Sequence, residues 1–353
     1  MEAIRKHYPG HKLLLTFFSP SGYEHQKDYA GADFVTYLPM DGPRNAKRFI
    51  EIVQPSLVIF VKYEFWFYYL KKIQYRNIPL LLISASFRPN MSFFHWYGML
   101  SRKMITRFNR IFVQDAESHQ LLERIGIRDN VEIGGDTRFD RVISIADQTE
   151  PVEPVLALLN HRRTIVLGSS WPADEQLWSL MRPWCQDRNI LLVIAPHEVD
   201  DAHLTDLLKL FPMAQLFSAL NSATAIESDV LIIDRIGLLS SLYRYGWINY
   251  VGGGLESSGV HNVLEAAVYG RPVITGPHIE KYREAVELLN AGGLFALSGV
   301  ETKKELQEFL TSWWADPQIT LTIGTCAENY VRGKTGAVDR IMQYIQEKRL
   351  LTN

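Results

Sequence analysis

Short, nearly continuous apolar runs recur along the chain, separated by longer stretches whose apolar positions fall every three or four residues. The runs fit strands covered on both faces and the longer stretches fit amphipathic helices, so the alternation predicts parallel sheets with crossover helices. In the first part of the chain the runs are residues 12–18, 34–37, 57–61, 80–84 and 110–113. A second series occupies 164–167, 191–195, 230–233, 248–251 and 272–275. Between them lies a polar stretch containing Pro151 and Pro154, which interrupts both periodicities and predicts an interdomain linker over 144–160. Residues 1–8 read as an amphipathic helix with Ile4 inward. An α/β half normally opens with a strand, so either an earlier strand is missing or this helix decorates the domain.

Composition narrows the class. A chain of 353 residues suits about two domains. Its net charge of -2 argues against a general attraction to nucleic acid. Cys185 and Cys326 are too few for a disulfide framework and fit a reducing compartment. No apolar run is long enough to predict a transmembrane helix, and no signal peptide is expected.

The stretch from Tyr250 to Pro277 is the most informative. A predicted strand ends in Gly252, Gly253 and Gly254, where the backbone can approach a ligand, and a helix is expected to start near residues 259–262 with its N–H groups facing a phosphate. Asn262 and Glu265, three apart, share a helix face on which a carboxylate can accept from ribose hydroxyls. A bare packing turn remains the alternative for the glycines alone. His197 follows a strand at the ligand edge and suits a phosphate or a base, or is an ordinary loop histidine. Ser169-Ser170-Trp171-Pro172 reads first as a helix cap, with Asp174 and Glu175 favouring the dipole, and second as a substrate contact. Glu64 follows another strand, as substrate-orienting acid or helix-start carboxylate. Arg138 offers a fixed cation, or a salt bridge to Asp140. Residues 91–110 mix aromatic groups with Arg102, Lys103, Arg107 and Arg110; they predict a helix packed through its aromatic side, or a membrane-facing surface, with the cations available either way. No metal site, P-loop or nucleophile elbow is present in the pattern.

In order and spacing, Ser19-Pro20-Ser21-Gly22, Lys62-Tyr63-Glu64-Phe65-Trp66, Gly135-Asp136-Thr137-Arg138-Phe139-Asp140, Ser169-Ser170-Trp171, Ala195-Pro196-His197 and the run from Gly252 to Pro277 resemble the transferases of 3-deoxy-manno-octulosonic acid (Kdo), over nearly the whole chain. The resemblance implies a GT-B glycosyltransferase: two Rossmann-like domains facing across a cleft. Residues 1–143 would bind the acceptor and 161–335 the CMP-sugar, and residues 336–353 would form a helix returning to the first domain. It also implies CMP-Kdo as donor, a lipid A precursor as acceptor, peripheral contact with the cytoplasmic face of the bacterial inner membrane, and no metal or other cofactor. Glu64 and Arg138 look like the transition-state pair. Pro196, His197, Ile236, Gly237, Leu238, Gly253, Gly254, Asn262, Val263, Leu264 and Glu265 look like the nucleotide-sugar site, and Ser19, Ser21, Gly22 and Ser170 like acceptor or sugar contacts.

This chain departs from the family pattern with Arg138 in place of a lysine and His197 in place of an arginine. The family also carries, ahead of the helix matching residues 1–8, a membrane anchor, a first strand and the glutamate serving as general base. By this resemblance the sequence begins after all three, and Glu2 does not inherit the base's role. Donor binding with little or no transfer is then expected, because a general base contributes roughly 10²- to 10⁴-fold. A truncated reading of the gene would account for it. The implied reaction is an inverting displacement in which an acceptor hydroxyl attacks the anomeric carbon and CMP leaves. Competing readings are a GT-B enzyme using another nucleotide sugar and a nucleotide-binding protein without catalysis. An NAD-dependent dehydrogenase is disfavoured, because neither Ser19-Pro20-Ser21-Gly22 nor Gly252-x-Gly254-x-x-Ser257 completes a dinucleotide fingerprint.

Overall fold

A computed structural model describes residues 1–148, 162–220 and 228–352. They fall into two compact units, one made of Met1–Asp140 and the chain end from Lys334, the other of Arg141–Gly333.

The first unit contains β1 (Leu14–Phe17), β2 (Phe34–Tyr37), β3 (Val58–Val61), β4 (Leu80–Ala85), β5 (Arg110–Val113) and β6 (Val131–Ile133). β1 and β2 pair in parallel as a two-stranded sheet, and β3, β4, β5 and β6 form a four-stranded parallel sheet in that order. Successive side chains of a strand point to opposite faces. Accordingly Leu80, Leu82, Ile111 and Val113 join a core with Tyr69, Leu70 and Ile73. Leu81 and Phe112 instead meet Ile341, Met342 and Ile345 of the helix Ala337–Glu347, so the end of the chain completes this unit. Asp140 caps that helix by accepting from the N–H groups of Gly336 at 2.7 Å and Val338 at 3.1 Å. Ile4 packs on the same cluster, which accounts for the helix Glu2–His7.

The second unit contains β7 (Thr164–Ser170), β8 (Leu191–Pro196), β9 (Gln215–Leu216), β10 (Val230–Ile232), β11 (Ile248–Val251), β12 (Val273–Thr275) and β13 (Leu294–Ala296). They form one parallel sheet in the order β13, β12, β11, β7, β8, β10, β9. The chain enters at β7, builds outward through β8, then crosses to lay β11 on the other side of β7. A sheet that reverses in this way opens a crevice beyond the carboxyl ends of the two strands at the reversal, and ligands of such sheets bind there.

Every strand expected from the apolar runs is present, with ends shifted by up to three residues. The three strands the pattern missed, β6, β9 and β13, each lie at the edge of a sheet. All three are short; β6 and β9 also carry the polar residues Glu132 and Gln215 and so lack an apolar signature, whereas β13 is apolar but only three residues long. The expected linker needs correction, because the helix Thr137–Gln148 runs through residues 144–148. Phe139, Val142 and Ala146 are buried at helical spacing along it, and Arg244 Nη2 donates to the Ala146 carbonyl at 2.6 Å. The rest of the expected linker lies outside the described residues. No described helix is long and apolar enough to cross a membrane.

Candidate active site

At the carboxyl edge of the second sheet, β7 ends irregularly. Its pairing with β8 slips between Gly168 and Ser170, and Ser169 takes a left-handed backbone (φ 51°), an uncommon conformation for a residue with a side chain. The chain thereby turns at once into the helix Pro172–Gln186. Ser170, expected as a cap or a sugar contact, does not cap the helix: it is fully buried and its hydroxyl donates to Glu175 Oε1 at 2.9 Å. His203 Nε2 also bonds Glu175, at 2.9 Å. The cap is supplied from within the helix, where Asp174 Oδ2 accepts the Trp171 N–H at 3.0 Å.

Asp174 also fastens the glycine turn after β11. It accepts from Tyr250 Oη at 2.6 Å and from the Gly253 N–H at 2.9 Å. Only glycine fits at 252, because a Cβ there would stand 2.3 Å from the Ser169 carbonyl. Burial holds the Asp174 and Glu175 carboxyls above the ordinary range, against the hydrogen bonds each accepts. The turn thus differs from the expected phosphate cradle in two ways. The N–H of Gly253 is spent on Asp174 and that of Gly252 on the Gly168 carbonyl. And the helix expected from residues 259–262 begins only at Leu264 and ends at Ala267, because Gly259 is left-handed (φ 88°) and breaks it.

Asn262 and Glu265 do share one face: Asn262 Nδ2 donates to Glu265 Oε1 at 2.8 Å. Burial raises the Glu265 carboxyl, opposed by the Asn262 amide and then by Arg141. Val263 and Leu264 are wholly buried, which leaves their backbone as the only part that can meet a ligand. Pro196 is the buried last residue of β8, and His197 is exposed beyond it. Past β10, Ile236 is 82% exposed, Gly237 is left-handed (φ 92°) and Leu238 precedes the helix Leu239–Leu242. Gly254 packs against β12 and its following turn, a Cβ there meeting Gly276 N at 2.7 Å.

Three rings close this edge. Trp171 stacks on His197 with centroids 4.8 Å apart, and His197 on His261 at 4.3 Å. The indole N–H of Trp171 donates to His261 Nε2 at 2.7 Å. Burial, and then the neighbouring His197, lower the His261 pKa to about 4. The local sequence pattern does not single out His261 or the Trp171 ring as a partner of His197. The available signal was their position: both lie at strand carboxyl ends, like His197.

In the first unit, Glu64 follows β3 and Arg138 follows β6, on the same edge of one sheet but with β4 and β5 between them. At a strand spacing of about 4.8 Å their backbones stand on the order of 14 Å apart. Glu64 does not cap the helix Phe67–Tyr75: Asp41 does, accepting from the N–H groups of Tyr68 at 3.1 Å and Tyr69 at 3.2 Å. The Glu64 carboxylate instead accepts from the Trp66 indole. Lys62, left-handed at φ 59°, turns the chain between β3 and Glu64. Arg138 pairs with Asp136, not with Asp140, through Nε at 2.9 Å and Nη2 at 2.8 Å. Asp136 is buried and is itself held by Gln114 Nε2 at 3.0 Å. Ser19 stands exposed at the N-cap position of the helix Pro20–Gln26 without a side-chain capping bond, with Ser21 and Gly22 in the first turn. The Ser21 side chain is outside the described residues.

Residues 91–110 divide. Phe93 is buried, while Trp96 (91% exposed), Tyr97, Met99 and Leu100 face solvent. The expected cationic face is largely engaged. Arg102 donates to the Phe93 and His95 carbonyls, Arg107 stacks on Phe67 and Arg110 pairs with Glu132; Lys103 stays exposed. No group of three or more potential metal ligands gathers among the described residues.

The sequence model of the family described as 3-Deoxy-D-manno-octulosonic-acid transferase (kdotransferase) matches residues 1–141. The 3-deoxy-D-manno-octulosonic acid transferase of Haemophilus influenzae is 27% identical over 296 residues, covering 81% of this chain and 68% of the relative. That of Aquifex aeolicus is 27% identical over 304 residues, covering 84% and 76%. Matches of this length exceed either unit and so take in both. Among solved structures, the UDP-GlcNAc 2-epimerase of Neisseria meningitidis bound to UDP-GlcNAc aligns over 98% of this chain and 96% of its own with a TM-score of 0.64 at 16% identity, a likeness of fold. The architecture is the GT-B fold, built of two Rossmann-like units, and over both units the chain is similar to 3-deoxy-D-manno-octulosonic acid transferases.

Proposed function

We propose that this chain is a glycosyltransferase that transfers Kdo from CMP-Kdo to a lipid A precursor in lipopolysaccharide synthesis, at the cytoplasmic face of a bacterial inner membrane. The observation that carries the reading is the match of both units to relatives named for this transfer. The second unit supplies a chemically suitable donor site. At the reversal of its sheet, the glycine turn brings backbone to the ligand crevice, Glu265 and Asn262 offer a ribose-binding pair, and His197 and His261 stand where a phosphate would lie.

In an inverting displacement the acceptor hydroxyl gives its proton to a base as its oxygen attacks the anomeric carbon and the bond to the CMP phosphate breaks, and the phosphate gathers negative charge. Fixed hydrogen-bond donors and cations stabilise such charge without reorganising. Arg138, held by the buried Asp136, is a cation of this kind, and Glu64 orients the acceptor. Ser19, Ser21 and Gly22 lie after β1, on the unit assigned to the acceptor. Exposed Trp96, Tyr97, Met99 and Leu100 supply an apolar surface suited to the membrane interface, where the lipid acceptor resides.

The test is Kdo transfer from freshly made CMP-Kdo to a lipid A precursor, with UDP- and GDP-sugars as alternative donors. Acceptor-dependent release of CMP together with glycosylated lipid supports the reading. Use of a UDP- or GDP-sugar in preference to CMP-Kdo would replace it with another GT-B transferase.

A further inference from the structure

An indole N–H can only donate a hydrogen bond. Because Trp171 Nε1 meets His261 Nε2 at 2.7 Å, Nε2 must accept, and the neutral imidazole carries its proton on Nδ1. The ring is fixed from several sides. The backbone N–H of His261 donates to the Gly252 carbonyl at 3.2 Å, and a Cβ on Gly253 would stand 2.9 Å from His261 Cδ2. The planes of Trp171 and His261 lie 6° from parallel, and His197 stacks against both. None of the described hydrogen bonds uses the Nδ1 proton. Burial together with His197 keeps the ring neutral.

We propose that His261 donates its Nδ1 proton to the phosphate of a cytidine nucleotide, and that Trp171 is the positioning residue that holds the proton on that nitrogen. The inference rests on the reading of this sheet edge as the donor site. A histidine lacking such a partner populates both tautomers and so presents a lone pair to the phosphate part of the time. Trp171 does not titrate, so it holds the donor in place without adding a charge to the stack.

The test uses the full chain. Nitrogen-15 histidine NMR reads the tautomer, with the His261 resonance assigned by its loss in H261A, and calorimetry reads affinity for CMP and for cytidine, which lacks the phosphate. The wild-type chain is expected to show the Nδ1–H form and W171F a mixture. CMP affinity falls about tenfold in H261A and about threefold in W171F, while cytidine affinity stays within about twofold in both. H261N, whose amide N–H occupies the δ position, keeps CMP affinity within about threefold of wild type. An Nε2–H resonance in the wild-type chain, or CMP binding that H261A leaves unchanged, overturns this inference alone. A wild-type chain that binds no CMP overturns the donor-site reading and with it the ligand assigned to His261. Should H261A fail to fold, the His261 resonance is assigned by its loss in H261N, and W171F decides through the tautomer and the ratio of CMP to cytidine affinity.

Discussion

Asp174 Oδ1 accepts a hydrogen bond from the Tyr250 hydroxyl at 2.6 Å, joining the first turn of the helix after β7 to the carboxyl end of β11. The same carboxylate holds the Gly253 and Trp171 N–H groups, so one buried residue sets the spacing of the two strand ends that border the crevice. D174A strands two buried donors and one partly buried, each buried one costing about 1–3 kcal/mol, and is expected to lose about 3 kcal/mol or more of stability. Y250F removes one donor and should lose about 1 kcal/mol. Urea unfolding measures both; a D174A loss no larger than that of Y250F would show that the network does not hold the turn.

Glu265 ties stability to pH. Burial raises its carboxyl above the ordinary range, so the folded chain keeps that proton to higher pH than the unfolded chain does. Its contribution is therefore fully present below the unfolded value and is lost as pH rises through the raised folded value. E265Q, which cannot ionise and still accepts from Asn262, should gain stability relative to the parent at pH 8 and none at pH 4. CMP affinity should meanwhile fall about tenfold, because the ribose loses a charged acceptor. Melting curves at the two pH values, beside calorimetry, check both halves.

Arg138 is expected to act on the reaction step, not on donor binding. R138A should lower Kdo transfer roughly 10²- to 10³-fold relative to the parent chain, with CMP affinity unchanged. D136N should lower it less, because the guanidinium remains but loses the carboxylate that fixes Nε and Nη2. Steady-state kinetics distinguish this from a binding defect: kcat falls and KM for the donor holds.

With Arg102, Arg107 and Arg110 engaged inside the first unit, membrane attachment through residues 96–100 should depend on apolar contact more than on charge. A large side chain contributes about 1.5–3 kcal/mol on burial, so W96A combined with M99A is expected to weaken binding to phosphatidylglycerol-containing vesicles at least tenfold. Raising salt should change it little. Vesicle co-sedimentation at two salt concentrations reads both effects.

The central strands were legible because burial on both faces makes them continuously apolar. Leu80, Leu81 and Leu82 announce β4 without help from the rest of the chain. β13 is equally apolar but only three residues long. At the site, the glycine turn and the Asn262–Glu265 spacing could be read because both are local. Asp174 looked like a dipole residue because its donors Tyr250 and Gly253 lie more than seventy residues away. Asp41 likewise caps a helix 27 residues downstream, which left Glu64 as the apparent cap. Arg138 was matched to Asp140 at the i+2 position, whereas folding gives Asp140 to the N–H groups of Gly336 and Val338. Side chains paired across long sequence distances carry no local pattern, and they account for most of what the sequence left unread.

The donor assignment is tested most directly by titrating the chain with CMP, UDP and GDP in a calorimeter. CMP is expected to bind at least tenfold more tightly than UDP or GDP, and H261A and E265Q each to weaken it. Equal affinity for the three nucleotides, a preference for UDP or GDP, or no CMP binding would contradict a CMP-sugar site at the carboxyl edge of β7 and β11.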